Sequence, residues 1–302
     1  MCRSRNAQIL DLVHVADNLY SEFDVFHPLP DHRVVRLNGP DAVAFAQAQF
    51  ANDVVSLADG HWQWSAWLTA KGRTIAAFAL IRTASDEVLL VLADADADEI
   101  ASQLQRFVFR RKLKISSSAG EMVTAAFTAP TTARGAALGG NAQIGWQLDM
   151  GSDALPRTLC LPPEGAPASE ADAAFTAAWR QADLRFGLPR LSADQREHWT
   201  PQQLGLDRLG GYSVKKGCYP GQEIVARTHF LGKAKRALQL LQLGAEAQPG
   251  AEVRLDDAPL GTVASVAGDL ALAVLPLEVA EGAVRVAGSP AQRLPLLDGL
   301  AR

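Results

Sequence analysis

The chain has 302 residues, of which 48% are hydrophobic and 21% charged, with a formal net charge of -4. That length fits one large domain with smaller satellites, and that composition supports a buried core. The acidic balance argues against a general nucleic-acid-binding surface, while leaving room for a local basic patch.

Residues 1–32 read as an amphipathic lead-in closed by the turn PLPDH. RVVRLNG (33–39) reads as a strand ending in Asn-Gly, and Pro40 takes a favoured first helical position before DAVAFAQAQF. The segment 62–69 alternates partly. KGRTIAAFALI (71–81) is a turn and a buried strand, and EVLLVLA (87–93) is its hairpin partner across the turn-prone residues 84–86. DADADEIASQLQRFVF (94–109) starts acidic, as suits the positive end of a helix dipole, and carries Ile100, Leu104 and Phe107 at helical spacing. LKISSS is a further strand end. The hairpin among alternating strands and helices predicts a mixed α+β domain over 33–120, not a doubly wound parallel sheet.

The stretch 125–167 is rich in Ala, Gly, Thr and Pro, predicting short strands and loops. Ser169 with Asp172 resembles a capping box for a helix running to about Phe186, with Gly187 and Pro189 as stop signals. This second α+β unit spans 121–232. From 233 to 302, short apolar runs separated by QPG, DD and GD predict a small antiparallel barrel.

The chemistry concentrates in VKKGCYPGQEIVAR (214–227). A thiol reacts as its thiolate, which nearby cations favour. Lys215, Lys216 and Arg227 are candidates to hold Cys218 anionic. Tyr219-Pro220-Gly221 fits a type II turn with Gly221 at positive φ, which would present the cysteine on a tight loop. Gln222 and Glu223 follow where a new element begins. Against this stands the behaviour of a lone cysteine as a small buried hydrophobe; the lysines and glycines around Cys218 tip the balance to function. Cys2 is terminal, and Cys160, in TLCLP, suits packing. Three scattered cysteines make no disulfide framework and no C-x-x-C pair, so a reducing cytoplasm is expected. The N-terminal 20 residues lack a signal-peptide core, and no run has the length of a membrane span. Of the six histidines, His229 alone is near Cys218 in sequence, and nothing else marks a Cys-His hydrolase. No phosphate loop or dinucleotide fingerprint is present. FVFRRKLKI (107–115) is basic and reads as a solvated face.

KGCYPGQE, preceded by PQQLGLDRLGG and followed by IVAR and KAKRAL, resembles the signature of the YgfZ-type folate-binding proteins. These are similar in fold to the T-protein of the glycine cleavage system, an aminomethyltransferase. LNGPDAVAFAQAQFANDV, the AKGR turn and WRQADLRFGLPRL extend the resemblance over most of the chain from about Arg33. The resemblance implies a tetrahydrofolate cofactor in a central cavity, with 33–120 as the folate-binding subdomain. It also implies support for the assembly or repair of iron–sulfur proteins, including enzymes that modify tRNA. Partners would be iron–sulfur client proteins or assembly factors, with neither stable nucleic-acid binding nor a membrane. The family's motif lysine and cysteine correspond to Lys216 and Cys218, and its folate-site tryptophan to Trp179, where an indole could stack on the pterin. Trp179 is equally readable as a core residue of an amphipathic helix.

Three departures carry weight. His32 stands where the family can offer an aromatic, and Gly205 where it usually has Asn. Ala76 and Ala77 stand where aminomethyltransferases carry acidic residues, which removes general acid–base help and argues against glycine-cleavage activity. Asp53 is a candidate polar contact to folate, though a turn role also suits it. The rival readings are a folate-dependent one-carbon transferase using Cys218 or Asp53, and a pure interaction scaffold.

Overall fold

A computed structural model describes residues 23–117, 122–163, 165–166, 170–232 and 234–302. Most of the lead-in, Cys2 and Ser169 lie outside these. Three β units meet around a shared core, as the α+β class with a C-terminal barrel requires.

The first unit is an antiparallel sheet ordered β3-β4-β5-β2-β6, built from β2 (His32–Asn38), β3 (His61–Leu68), β4 (Thr74–Ala84), β5 (Glu87–Ala93) and β6 (Lys114–Ser117). The β4–β5 hairpin forms as the turn-prone residues dictate. One face packs on helices α1 (Ala42–Gln49) and α2 (Ala97–Gln105) through Val35, Leu37, Phe45, Phe78, Leu80, Ile100 and Leu104. The opposite face, with Trp62, Trp64, Ala79, Ile81 and Val91, enters the core shared with the other units. A sheet covered on both faces needs apolar residues at successive positions, hence EVLLVLA.

The helix starts differ from the sequence reading. Pro40 lies outside α1, whose N-cap is Asp41. In α2 the cap is Asp96, whose carboxylate accepts from the Asp98 and Glu99 amides, so the helix starts inside the acidic run and ends at Gln105, short of Phe109.

The second unit is a sheet ordered β1-β7-β10-β9-β8: β1 (His27–Pro28), β7 (Thr124–Ala126), β8 (Gly139–Asn141), β9 (Gly145–Asp149) and β10 (Thr158–Leu161). Its edge strand β1 thus comes from the lead-in. Helix α3 (Ala173–Arg185) follows, capped by Asp172 itself, which accepts from the Ala174 and Phe175 amides. The segment 193–232 then turns back onto the first sheet: the Thr74 amide donates to Trp199 O, and the Ser213 amide to Ala51 O. It carries the short helix α4 (Gln222–Arg227).

The third unit is a closed barrel ordered β11-β14-β13-β12-β15-β16, from β11 (Arg236–Leu243), β12 (Glu252–Leu255), β13 (Ala258–Ala267), β14 (Leu270–Pro276), β15 (Val284–Val286) and β16 (Ser289–Leu294). Closure leaves no unpaired edge. The chain end then returns to the centre, where Leu300 is buried and its carbonyl accepts from Trp64 Nε1. Among the described residues, no helix is long and apolar enough to cross a membrane.

Candidate functional site

A cavity opens where the first sheet faces α3 and the turns that follow it. Trp64, Ala77, Phe78, Met150, Leu206 and Leu209 supply apolar walls, and His32, Asp183 and Arg190 supply the polar part. Its central void is about 40 Å³, room for a few waters.

The polar part belongs to one buried ion network. Arg190 donates to Asp183 at 2.8 Å and to both oxygens of Asp94, and it also reaches Asp31. Arg157, fully buried, bonds the other Asp183 oxygen at 2.7 Å, and its guanidinium lies 4.5 Å from the Trp179 ring centroid. Arg180 bonds Asp31 at 2.7 Å from the solvent side. Burial alone would raise the Asp31 carboxyl. The hydrogen bond from His32, the charge of Arg190 and the hydrogen bond from Arg180 outweigh it and hold the group well below the usual carboxylate range. Burial alone would lower Arg190; the charges of Asp183, Asp94 and Asp31 reverse that, and its guanidinium stays protonated. Asp94 accepts this chelation from a left-handed backbone position, φ 62°.

The thiol loop is built differently. Tyr219-Pro220-Gly221-Gln222 is a type II turn: Gly221 has φ 78° and ψ 0°, and the Gln222 amide donates to Tyr219 O. A Cβ on Gly221 would stand 2.6 Å from Gly72 Cα and from Thr69 O, so the AKGR turn and the YPGQ turn touch backbone to backbone. Gln222 Nε2 donates to Lys216 O at 2.9 Å, closing the loop from within. Cys218 is exposed on the outside of this frame.

Lys216 has another task than pairing with Cys218. It is 6% exposed, and Nζ donates to the carbonyls of Gln47, Phe50 and Asn52 at 2.6, 2.6 and 2.8 Å. An ammonium has three protons, and all three are spent on the C-terminal end of α1 and the turn behind it. Burial draws its pKa down to about 8, opposed by the charge of Asp53. The reading in which Lys216 stabilises a Cys218 thiolate therefore gives way to one in which it anchors the loop.

Of the other sequence-predicted residues, His32 lines the cavity. Trp179 is fully buried, packed among Phe127, Phe175 and Arg157, which is the core role. Asp53 accepts from Gln47 Nε2 and the Ser56 amide, which is the turn role. Glu223 and Arg227 are exposed on α4, and Arg227 has no side-chain partner among the described residues. Ala77 lines the cavity, whereas Ala76 joins the core under α1 and α2. Gly205 adopts φ 66° with open space around its absent Cβ, a conformation Asn also tolerates. The basic run 110–112, with Lys114, is exposed.

Sequence reasoning missed Trp64, Asp31, Asp94, Asp183 and Arg190. A usable signal was present: Asp183 and Arg190 interrupt the apolar string ADLRFGLPRL, and charged residues within such a string need partners when buried.

The tRNA-modifying protein YgfZ of Aliivibrio fischeri strain MJ11 is 30% identical over 237 residues, covering 74% of this chain and 72% of that protein. The protein of the same name from Edwardsiella ictaluri is 28% identical over 252 residues, covering 76% and 75%. Among solved structures, the glycine cleavage system aminomethyltransferase T from Bartonella henselae superposes with a TM-score of 0.71 over 93% of this chain and 88% of that one, at 15% identity. At that identity the likeness establishes the fold alone. No family model matches the chain.

Proposed function

The chain belongs to the family of the tRNA-modifying protein YgfZ, and on that premise we propose that it binds tetrahydrofolate in the central cavity and supports assembly or repair of iron–sulfur proteins, tRNA-modifying enzymes among them. The observation that carries the folate reading is the cavity's construction. Apolar walls, with the Trp64 indole, suit a heteroaromatic ring, and one polar end with His32 suits its heteroatoms. The void is smaller than a bicyclic ring, so entry requires the walls to part.

Binding is favoured over aminomethyl transfer. Ala77 lines the wall without a carboxylate, and the nearby carboxylates of Asp31 and Asp183 are engaged by arginines, which leaves their oxygens occupied and poorly placed to move a substrate proton. Cys218 acts separately, as an exposed thiol toward a protein partner in a reducing cytoplasm. One thiolate cannot hold a cluster by the usual four-ligand rule, so any cluster handled there takes its other ligands from the client.

Anaerobic calorimetric titration of tetrahydrofolate into wild type and Cys218→Ala tests this. Saturable binding of equal strength in both is expected, with loss of iron–sulfur enzyme support confined to the variant. No binding to folded wild type overturns the folate reading.

A further inference from the structure

One polar atom of the central cavity is left unanswered. His32 lines the cavity and is 4% exposed. Its Nδ1 lies 2.7 Å from Asp31 Oδ1, and its Nε2 has no partner among the described residues. The other polar groups there are occupied: Asp183 accepts from Arg157 and Arg190, and Arg190 serves three carboxylates.

The network fixes the imidazole tautomer. The charges around His32 are the carboxylates of Asp31, Asp94 and Asp183 and the guanidiniums of Arg157, Arg180 and Arg190, three against three. Asp31, ionised beside Arg190 and Arg180, can only accept, so in the neutral imidazole the proton sits on Nδ1. Nε2 then presents a lone pair to the cavity.

We infer that His32 accepts an N–H from the ring bound in the cavity and is the specificity residue that admits reduced pterins over oxidised ones. This rests on the folate reading. A tetrahydropterin carries N5–H and N8–H, whereas an oxidised pterin has bare ring nitrogens at those positions; the ring amide and the amino group are common to both. Against a lone pair on Nε2, the reduced ring gains a hydrogen bond. The oxidised ring sets lone pair against lone pair and leaves a buried acceptor unpaired, a difference of tenfold or more in affinity.

The test is anaerobic titration at pH 8 of wild type and His32→Phe with tetrahydrofolate, folic acid, and the 5-deaza and 8-deaza analogues of tetrahydrofolate. Wild type should prefer tetrahydrofolate over folic acid by about tenfold or more, and one deaza analogue should lose about tenfold. In His32→Phe, tetrahydrofolate should fall to the level of that analogue while folic acid holds or gains. The analogue comparison on wild type stands even if the variant fails to fold. Equal binding of both oxidation states, or two deaza analogues as tight as tetrahydrofolate, overturns the role of His32 while the folate reading survives. Failure of every ligand to bind folded wild type overturns both.

Discussion

Two of the buried cations of this molecule, Arg190 and Lys216, are satisfied by opposite means. Arg190 meets three carboxylates brought from the residue after β5, from α3 and from the turn before β2, so charge is matched by charge. Among the described residues Lys216 meets no carboxylate at hydrogen-bonding distance; it meets three backbone carbonyls at the end of α1. A planar five-donor fork suits several fixed carboxylates, and a compact three-donor ammonium suits a ring of carbonyls. The difference shows in what each leaves free. The arginine network fixes a histidine lone pair inside a cavity. The lysine clamp fixes a loop and leaves a thiol outside it, without electrostatic help from that lysine.

The sharpest way to break this comparison is to remove each cation. Arg190→Met strips three carboxylates of their shared partner, and Asp94 keeps no other ion pair among the described residues. Urea unfolding should show a loss of about 3–5 kcal/mol. A loss below about 1 kcal/mol would mean that Arg180 and Arg157 suffice and that the network is not a unit.

Lys216→Met should cost less, about 3 kcal/mol, because it orphans carbonyls and not charges. Its pH dependence separates burial from hydrogen bonding. The folded-state pKa near 8 lies below the ordinary 10.5, so between these values the unfolded chain binds more protons than the native one. Native stability from this group therefore rises with pH across that window. The gap between wild type and Lys216→Met, followed by urea unfolding from pH 7.5 to 10.5, should widen. A narrowing gap would show that the three carbonyls hold the proton more firmly than burial expels it.

The same contrast explains what was legible in the sequence. Local chemistry was readable: Gly221 at positive φ in its turn, the β4–β5 hairpin, and the barrel from its short apolar runs. The partner of Lys216 was not. A single glycine separates it from Cys218, but Gln47, Phe50 and Asn52 lie more than 160 positions away, and carbonyl acceptors carry no residue-type signal. Trp179 stayed open between two roles for a related reason. Helical spacing places an indole on the buried face of α3 but says nothing of whether core or cavity lies beyond; Phe127 and Arg157, from other elements, decide it. Asp31 and Asp94 escaped because each is unremarkable alone; Asp183 and Arg190 stand out in their apolar string, but topology alone brings the four together.

The smallest expected effect on stability falls on the residue with the strongest claim to function. Cys218→Ser changes an exposed side chain on a loop held by Lys216, Gln222 and the Gly72–Gly221 contact, none of which uses the sulfur. Unfolding free energy should move by no more than about 0.5 kcal/mol. The same variant should abolish support of iron–sulfur enzymes, measured as their recovered activity after oxidative challenge. Stability lost together with function would mean that the sulfur packs, and that the loop is one more piece of core. Stability kept while function is lost means that Lys216 and its three carbonyls serve to hold a reactive atom where a partner can reach it.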